Sequence, residues 1–151
     1  MTKRFQKGVT IIELLIYVGT LSVFMLVLAD VFVTILNSKL ETESTSTLNQ
    51  DARYIYSRFA YDVANADTAS VPDPSSLNLV SNGVSYNYAS DGGGNLLLNG
   101  IAINGLDTKV NSVSFVKVGS TVKISYTIES LIILPSGNQV RTIETTVGLR
   151  P

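Results

Sequence analysis

Residues 7–36 read KGVTIIELLIYVGTLSVFMLVLADVFVTIL. From Val9 to Leu36 nearly every side chain is aliphatic or aromatic, interrupted by Thr10, Glu13, Gly19, Thr20, Ser22, Asp30 and Thr34. Val9–Ala29 alone gives 21 residues with one charge, close to the roughly 20 that a helix needs to cross a bilayer. Glu13 is the anomaly. A carboxylate inside a membrane costs about 2.5–3.5 kcal/mol on insertion scales and by default marks a function. Lys3, Arg4 and Lys7 precede the run, and the next basic residue is Lys39. The positive-inside rule therefore keeps the N-terminus cytoplasmic and sends everything after residue 36 outward.

Two ordinary readings compete for such a segment. A secretory signal peptide has an apolar region of about 7–15 residues that ends at a small-residue cleavage site. Here the run is longer, and no such site ends it cleanly. A plain single-pass anchor explains the length and the basic flank but not Glu13 or the boundary Gly8. Hydropathy alone leaves both open.

The rest of the composition narrows the chemistry. The chain has 151 residues, enough for one domain and one long appended element, and a formal charge of −1. Removing residues 1–8 leaves 8 basic against 12 acidic side chains, so no global basic field argues for nucleic acid. With no Cys and no His, thiol nucleophiles, Ser-His-Asp catalysis and the ligand sets that zinc prefers are excluded. Disulfides are excluded too, so an exported domain must hold together by its core. No constellation of the remaining carboxylates, hydroxyls and lysines suggests an enzyme, and no cofactor is implied.

Beyond the apolar run the helix continues. Leu40, Leu48, Ala52, Ile55, Phe59 and Val63 recur at spacings that place them on one face. Glu41, Glu43, Asp51, Arg53, Arg58 and Asp62 are expected to face elsewhere. The helix should end near Asp67, before Pro72 and Pro74. A helix over residues 9–67 would be about 88 Å long at 1.5 Å per residue.

After Pro74 the period changes to two. Val122, Ile124, Tyr126 and Ile128 alternate with Lys123, Ser125 and Thr127, and Val84, Tyr86 and Tyr88 alternate with Ser85 and Asn87. Further strands are expected at Leu77–Val80, Leu96–Leu98, Ile101–Ile103, Ser112–Val118, Leu131–Leu134 and Val140–Val147. Asn82-Gly83, Asn99-Gly100, Gly119-Ser120 and Ser136-Gly137 supply turns between them. The whole reads as an antiparallel meander packed on the amphipathic helix, an α+β head.

Lys7-Gly8-Val9-Thr10-Ile11-Ile12-Glu13-Leu14-Leu15 resembles the processing motif of type IV pilins and type II secretion pseudopilins. The resemblance implies that prepilin peptidase cuts between Gly8 and Val9 on the cytoplasmic side and that Val9 becomes an N-methylated terminus. It also implies that Glu13 acts in filament assembly, pairing with the new α-amine of a neighbouring subunit. A buried ion pair of that kind specifies register better than it stabilises. Val9 departs from the more usual Phe or Met, and no Pro precedes Pro72 where many major pilins carry one. The match is sharp over residues 3–36 and diffuse over 40–130, where it looks like minor pseudopilins of the J type and related minor pilins.

The resemblance orders the chain as a leader (1–8), a transmembrane and assembly half-helix (9–36), an amphipathic half-helix (37–67) and a β-rich head (75–151). The implied fold is the pilin-like α+β one, a long N-terminal helix packed on a small antiparallel β-sheet head. The implied function is a structural subunit, favoured as minor, of a type IV pilus, secretion pseudopilus or competence pilus. Its implied partners are other pilin or pseudopilin subunits, prepilin peptidase, the inner-membrane assembly machinery and the lipid bilayer. It would sit in the bacterial cytoplasmic membrane, N-terminus in and head outside, and in the assembled filament. The rival is a membrane-tethered extracellular binding module with a β-rich head. Two weaker features complete the reading. Asp91-Gly92-Gly93-Gly94-Asn95 has calcium-suited oxygens but too few ligands, and is expected to be a hairpin tip. Lys109, Lys117 and Lys123 could contact DNA, but Asp107 and Glu129 balance them, and they read as solvated strand residues.

Overall fold

A computed structural model describes residues 10–150. Helix α1 runs Ile11–Ala64 and is followed by β1 (Thr68–Asp73), β2 (Ser76–Ser81), β3 (Val84–Ser90), β4 (Leu96–Leu98), β5 (Ile101–Ala102), β6 (Thr108–Val118), β7 (Thr121–Ser130) and β8 (Val140–Gly148). The chain is α+β. It divides into two compact units, one ending at Lys39 and one beginning at Leu40.

In the first unit α1 is capped by Thr10, whose hydroxyl accepts the Glu13 amide at 3.2 Å while its carbonyl accepts that of Leu14. Thr10-Ile11-Ile12-Glu13 thus has the spacing of a capping box, with an acidic residue in the first turn where the helix dipole favours it. The polar residues further along are partly neutralised within the helix. Ser22 Oγ donates to the Val18 carbonyl at 2.8 Å and Thr34 Oγ1 to that of Asp30 at 2.9 Å. Such back-bonding removes a free hydroxyl from an apolar surface.

In the second unit the remainder of α1 packs on two antiparallel sheets, β1-β2-β3-β4-β5 and β6-β7-β8. The single meander expected from the sequence is divided by the connection at Ile103–Asp107. Leu48, Ala52, Ile55, Phe59 and Val63 form the buried helix face, as the periodicity predicts, whereas Leu40 is exposed. β7 buries alternate residues throughout, including Val122, Ile124, Tyr126 and Ile128. The three layers meet at Phe59 of α1, Tyr88 of β3 and Phe115 of β6, whose ring centroids lie 6.1–6.4 Å apart. Each such pair is worth about 0.5–1.5 kcal/mol beyond its burial.

The turns follow local chemistry. Asn82 and Gly83 both have positive φ, 50° and 77°, as do Asn99 and Gly100, 52° and 81°. That is the type I′ geometry whose twist matches flanking hairpin strands.

Three further expectations differ from the structure. The helix stops at Ala64, and a strand, β1, occupies the Pro-containing stretch after it. β1 is an edge strand pairing with β2, and its register shifts between Ser70 and Asp73, so Pro72 sits where no ladder hydrogen bond is needed. Leu131–Leu134 is not a strand. The Leu131 amide bonds the Asp107 carbonyl at 2.8 Å instead of a β8 partner, and the segment becomes the β7–β8 loop. Asp62, expected on the solvent face, is buried. It stands seven residues after Ile55 and three after Phe59, on the same stripe, and is kept there by polar partners.

Candidate functional site

Gly8 and Val9, the expected cleavage and methylation positions, lie outside the described residues. Glu13 lies within them. Its backbone amide completes the Thr10 cap, and its carboxylate accepts the Tyr17 hydroxyl at 3.2 Å one turn on. Around it, every large apolar side chain from Ile11 to Leu36 is at least 44% exposed. This part of α1 is long and apolar enough to cross a membrane. It presents its apolar surface on all sides, unlike the one-sided stripe at Leu48–Val63. Asp30 is the second acidic residue of the run, and is likewise exposed.

The head holds its polar residues in small closed sets. Asp62 Oδ2 accepts the Tyr88 hydroxyl at 2.6 Å and Arg58 Nε at 3.0 Å. Burial, reinforced by the hydrogen bond to Asp62 and by its charge, pushes the Tyr88 phenol far up. The Tyr126 phenol, also raised by burial, donates to the Ala52 carbonyl at 2.8 Å and ties β7 to the helix. Asp51 Oδ2 accepts the Gly105 amide at 2.7 Å and the Thr108 hydroxyl, fixing the connection between the sheets to α1. Neither acidic role follows from hydropathy. Asp62 at i+4 from Arg58 was a legible ion-pair signal, whereas the partners of Asp51 lie 54 and 57 residues away.

The Asp91–Asn95 loop joins β3 to β4 and uses its carboxylate internally. Asp91 Oδ1 accepts the Gly93 and Asn95 amides at 2.8 and 2.9 Å, and Oδ2 accepts Asn95 Nδ2 at 2.6 Å. The Asn95 side-chain bond, followed by the backbone bonds, holds Asp91 below the usual carboxylate range. Among the described residues no group of three or more metal-ligating acidic side chains comes together.

The three lysines are not gathered into a patch. Lys109 and Lys117 stand near opposite ends of β6. Lys117 Nζ donates to the Ala69 carbonyl at 2.8 Å, and Lys123 Nζ pairs with Glu144 at 2.8 Å. A cleft of about 220 Å³ lies among Tyr61, Asn65, Asn82 and Tyr86 with Asp62 in its wall. It is smaller than the roughly 300–1,000 Å³ of small-molecule sites. These hydrogen bonds and ion pairs stiffen the head, and the apolar side chains of α1 from Ile11 to Leu36 are exposed.

Comparison with protein-family models, curated proteins and solved structures finds no match to this chain.

Proposed function

We propose that the chain is a structural subunit, and a minor one, of a type IV pilus, secretion pseudopilus or competence pilus. Prepilin peptidase cuts between Gly8 and Val9, Val9 is N-methylated, and the apolar part of α1 first spans the cytoplasmic membrane and then packs among other subunits. The observation that carries this reading is Glu13. It is a carboxylate in the first turn of a helix whose large apolar side chains from Ile11 to Leu36 are exposed among the described residues. Cleavage after Gly8 places a cationic α-amine four residues from it. In the filament the amine of one subunit and the Glu13 of the next offset two charges that are costly in lipid. Because lipid is as apolar as protein, moving the helix from bilayer to filament gains little hydrophobic free energy. Extraction therefore draws on the assembly machinery, and Glu13 specifies register.

Thr10 and Glu13 also start the helix, so the test must separate capping from charge. Gln at the third helical position retains the capping-box chemistry, whereas Ala does not. With Glu13→Gln, membrane insertion should persist while incorporation into filaments is lost. Intact mass of the protein from its native membrane should show a chain beginning at Val9 and one methyl heavier than its sequence. A chain that still carries residues 1–8 would favour the rival reading of a membrane-tethered binding module, whereas a Glu13→Gln variant that assembles normally would remove the role of the Glu13 charge in assembly.

A further inference from the structure

The two sheets of the second unit have four edges between them, and three are guarded. β1 carries Pro72 and a register shift, and β5 is only 2 residues long. Along β6 the Val110 and Phe115 amides bond the Gly94 and Pro74 carbonyls at 2.8 and 2.7 Å, and Lys117 Nζ covers the Ala69 carbonyl. Short strands, prolines, irregular registers and covered edges all keep a sheet from recruiting a foreign strand. β8 has none of these. Its 9 residues contain no proline and pair with β7 without a register shift.

The direction of each main-chain group along β8 follows from its two ends. The Ser130 amide donates to the Gln139 carbonyl at 2.9 Å before the strand, and the Leu149 amide donates to the Ser120 carbonyl at 2.7 Å after it, in one continuous register. Bonded pairs alternate along an antiparallel ladder, so Arg141, Ile143, Thr145 and Val147 bond inward to β7. The amides and carbonyls of Val140, Thr142, Glu144, Thr146 and Gly148 therefore point outward, and all of these residues are exposed. Glu144, the charged residue among them, is neutralised by Lys123 at 2.8 Å.

A cleft of about 210 Å³ lies beside this edge, between the helix and β8, lined by Ala52, Arg53, Tyr56, Arg141 and Ile143. Arg141 and Ile143 stand opposite Ile128 and Tyr126, on the sheet face that packs on the helix, and Arg141 also bonds the Asn49 side chain. A strand added alongside β8 would carry every second side chain over that cleft. The cleft has a sign. Among the described residues the ion pairs are Arg58–Asp62 and Lys123–Glu144, so neither Arg53 nor Arg141 is matched by a carboxylate. An inward-facing charge on an edge strand repels an apolar strand, and a carboxylate on the incoming strand reverses that effect. A second copy of β8 presents Arg141, Ile143, Thr145 and Val147 on this face, with no acid among them. The occupant that fits is another chain.

We propose that the β8 edge is a docking site for an extended acidic segment of a partner protein, which pairs with the outward main chain of β8 and sets a carboxylate between Arg53 and Arg141. Main-chain bonds supply the affinity, and the two guanidinium groups select the sequence. The site lies wholly within the second unit and stands independently of the membrane and filament readings.

The test uses the isotope-labelled full chain in detergent micelles and a capped peptide of alternating threonine and valine with one central glutamate. The peptide should slow hydrogen exchange at the Thr142, Glu144 and Thr146 amides several-fold and leave the Ile143 and Thr145 amides, already bonded to β7, unchanged. Exchanging the peptide's glutamate for glutamine should weaken binding several-fold, and N-methylating the peptide amides should abolish it. Thr142→Pro removes one outward donor without touching the β7 ladder. It should also abolish binding, while the Ile143 and Thr145 amides stay protected and show that the head is folded. Equal binding of the glutamine and glutamate peptides would overturn the acidic assignment, and equal binding of the N-methylated peptide would overturn strand pairing. Unchanged exchange at Thr142, Glu144 and Thr146 would overturn the site altogether. Protection of those amides that rises with protein concentration, without peptide, would assign the edge to a second copy and overturn the proposed partner.

Discussion

The Tyr88 hydroxyl donates to Asp62 Oδ2 at 2.6 Å, joining β3 to α1 beside the apolar cluster of the core. Arg58 reaches the same oxygen from one turn earlier, at 3.0 Å. A buried carboxylate with two partners is tolerable; with one it is a liability, since an unsatisfied polar group costs about 1–3 kcal/mol and more when charged. Tyr88→Phe keeps the ring contacts with Phe59 and Phe115 and removes only the donor. It should destabilise the head by about 1–3 kcal/mol, read as a lowered thermal midpoint of the full chain in detergent. A Tyr88→Phe/Asp62→Leu double variant should recover part of the loss, because replacing both partners by apolar groups can approach neutrality. A double variant less stable than the sum of the singles would refute the account.

Asp51 and Gly105 form a second such fastening with a tight steric limit. A Cβ at Gly105 would stand 2.7 Å from Asp51 Oδ2, so Gly105→Ala must displace the carboxylate that accepts the Gly105 and Thr108 donors. Loss of those bonds should cost about 1–3 kcal/mol and raise hydrogen exchange at Gly105. Asp51→Asn keeps the size and loses the charge, and should cost less than Gly105→Ala. The reverse order in unfolding midpoints would show that the connection is held by something else.

Ser44 makes the opposite case. Its Oγ is buried without a hydrogen-bond partner on the helix face that also carries Leu48. Ala removes the orphan hydroxyl and is the better helix former by a few tenths of a kcal/mol. Ser44→Ala should therefore stabilise the head by about 1 kcal/mol or more. A lowered midpoint would mean that the hydroxyl is satisfied in solution.

The helix, its buried stripe, the I′ turns and most strands were legible because each rests on local signals: a period of 3.6 or 2, an Asn-Gly pair, a long apolar run. The misreadings share one cause, a tertiary partner far off in sequence. Pro72 read as a breaker because nothing local shows that β1 is an edge. Leu131–Leu134 read as a strand because nothing local shows Leu131 bonding Asp107. Asp62 read as solvated because its Tyr88 donor is 26 residues away. Glu13 was legible as an anomaly against its apolar neighbours. Its capping geometry with Thr10 was legible too, as a Thr-x-x-Glu spacing, but stood in the shadow of the charge.

The titrating groups of the head define a pH window with two edges of opposite sign. Asp91, Glu129 and Glu144 are held below the ordinary range. Asn95 does so for Asp91, Asn111 and then Asn138 for Glu129, and the Lys123 bond and charge for Glu144. Lowered carboxyls contribute stability that is present above their unfolded values, about 3.9–4.3, and lost as pH falls through the folded ones. Because Asn138 belongs to the β7–β8 loop, protonating Glu129 should loosen that loop first, seen as faster exchange of the Asn138 side-chain amide below about pH 4. At the other edge, burial raises Tyr88 and Tyr126. Raised phenols contribute stability that is present below about pH 10 and lost as pH rises towards their folded values. The thermal midpoint should therefore hold a plateau and fall on both sides. Spectrophotometric titration should show a late phenolate phase coincident with unfolding, diminished in Tyr88→Phe and in Tyr126→Phe. A late phase unchanged in both variants would mean that these two hydroxyls ionise without breaking the bonds to Asp62 and Ala52.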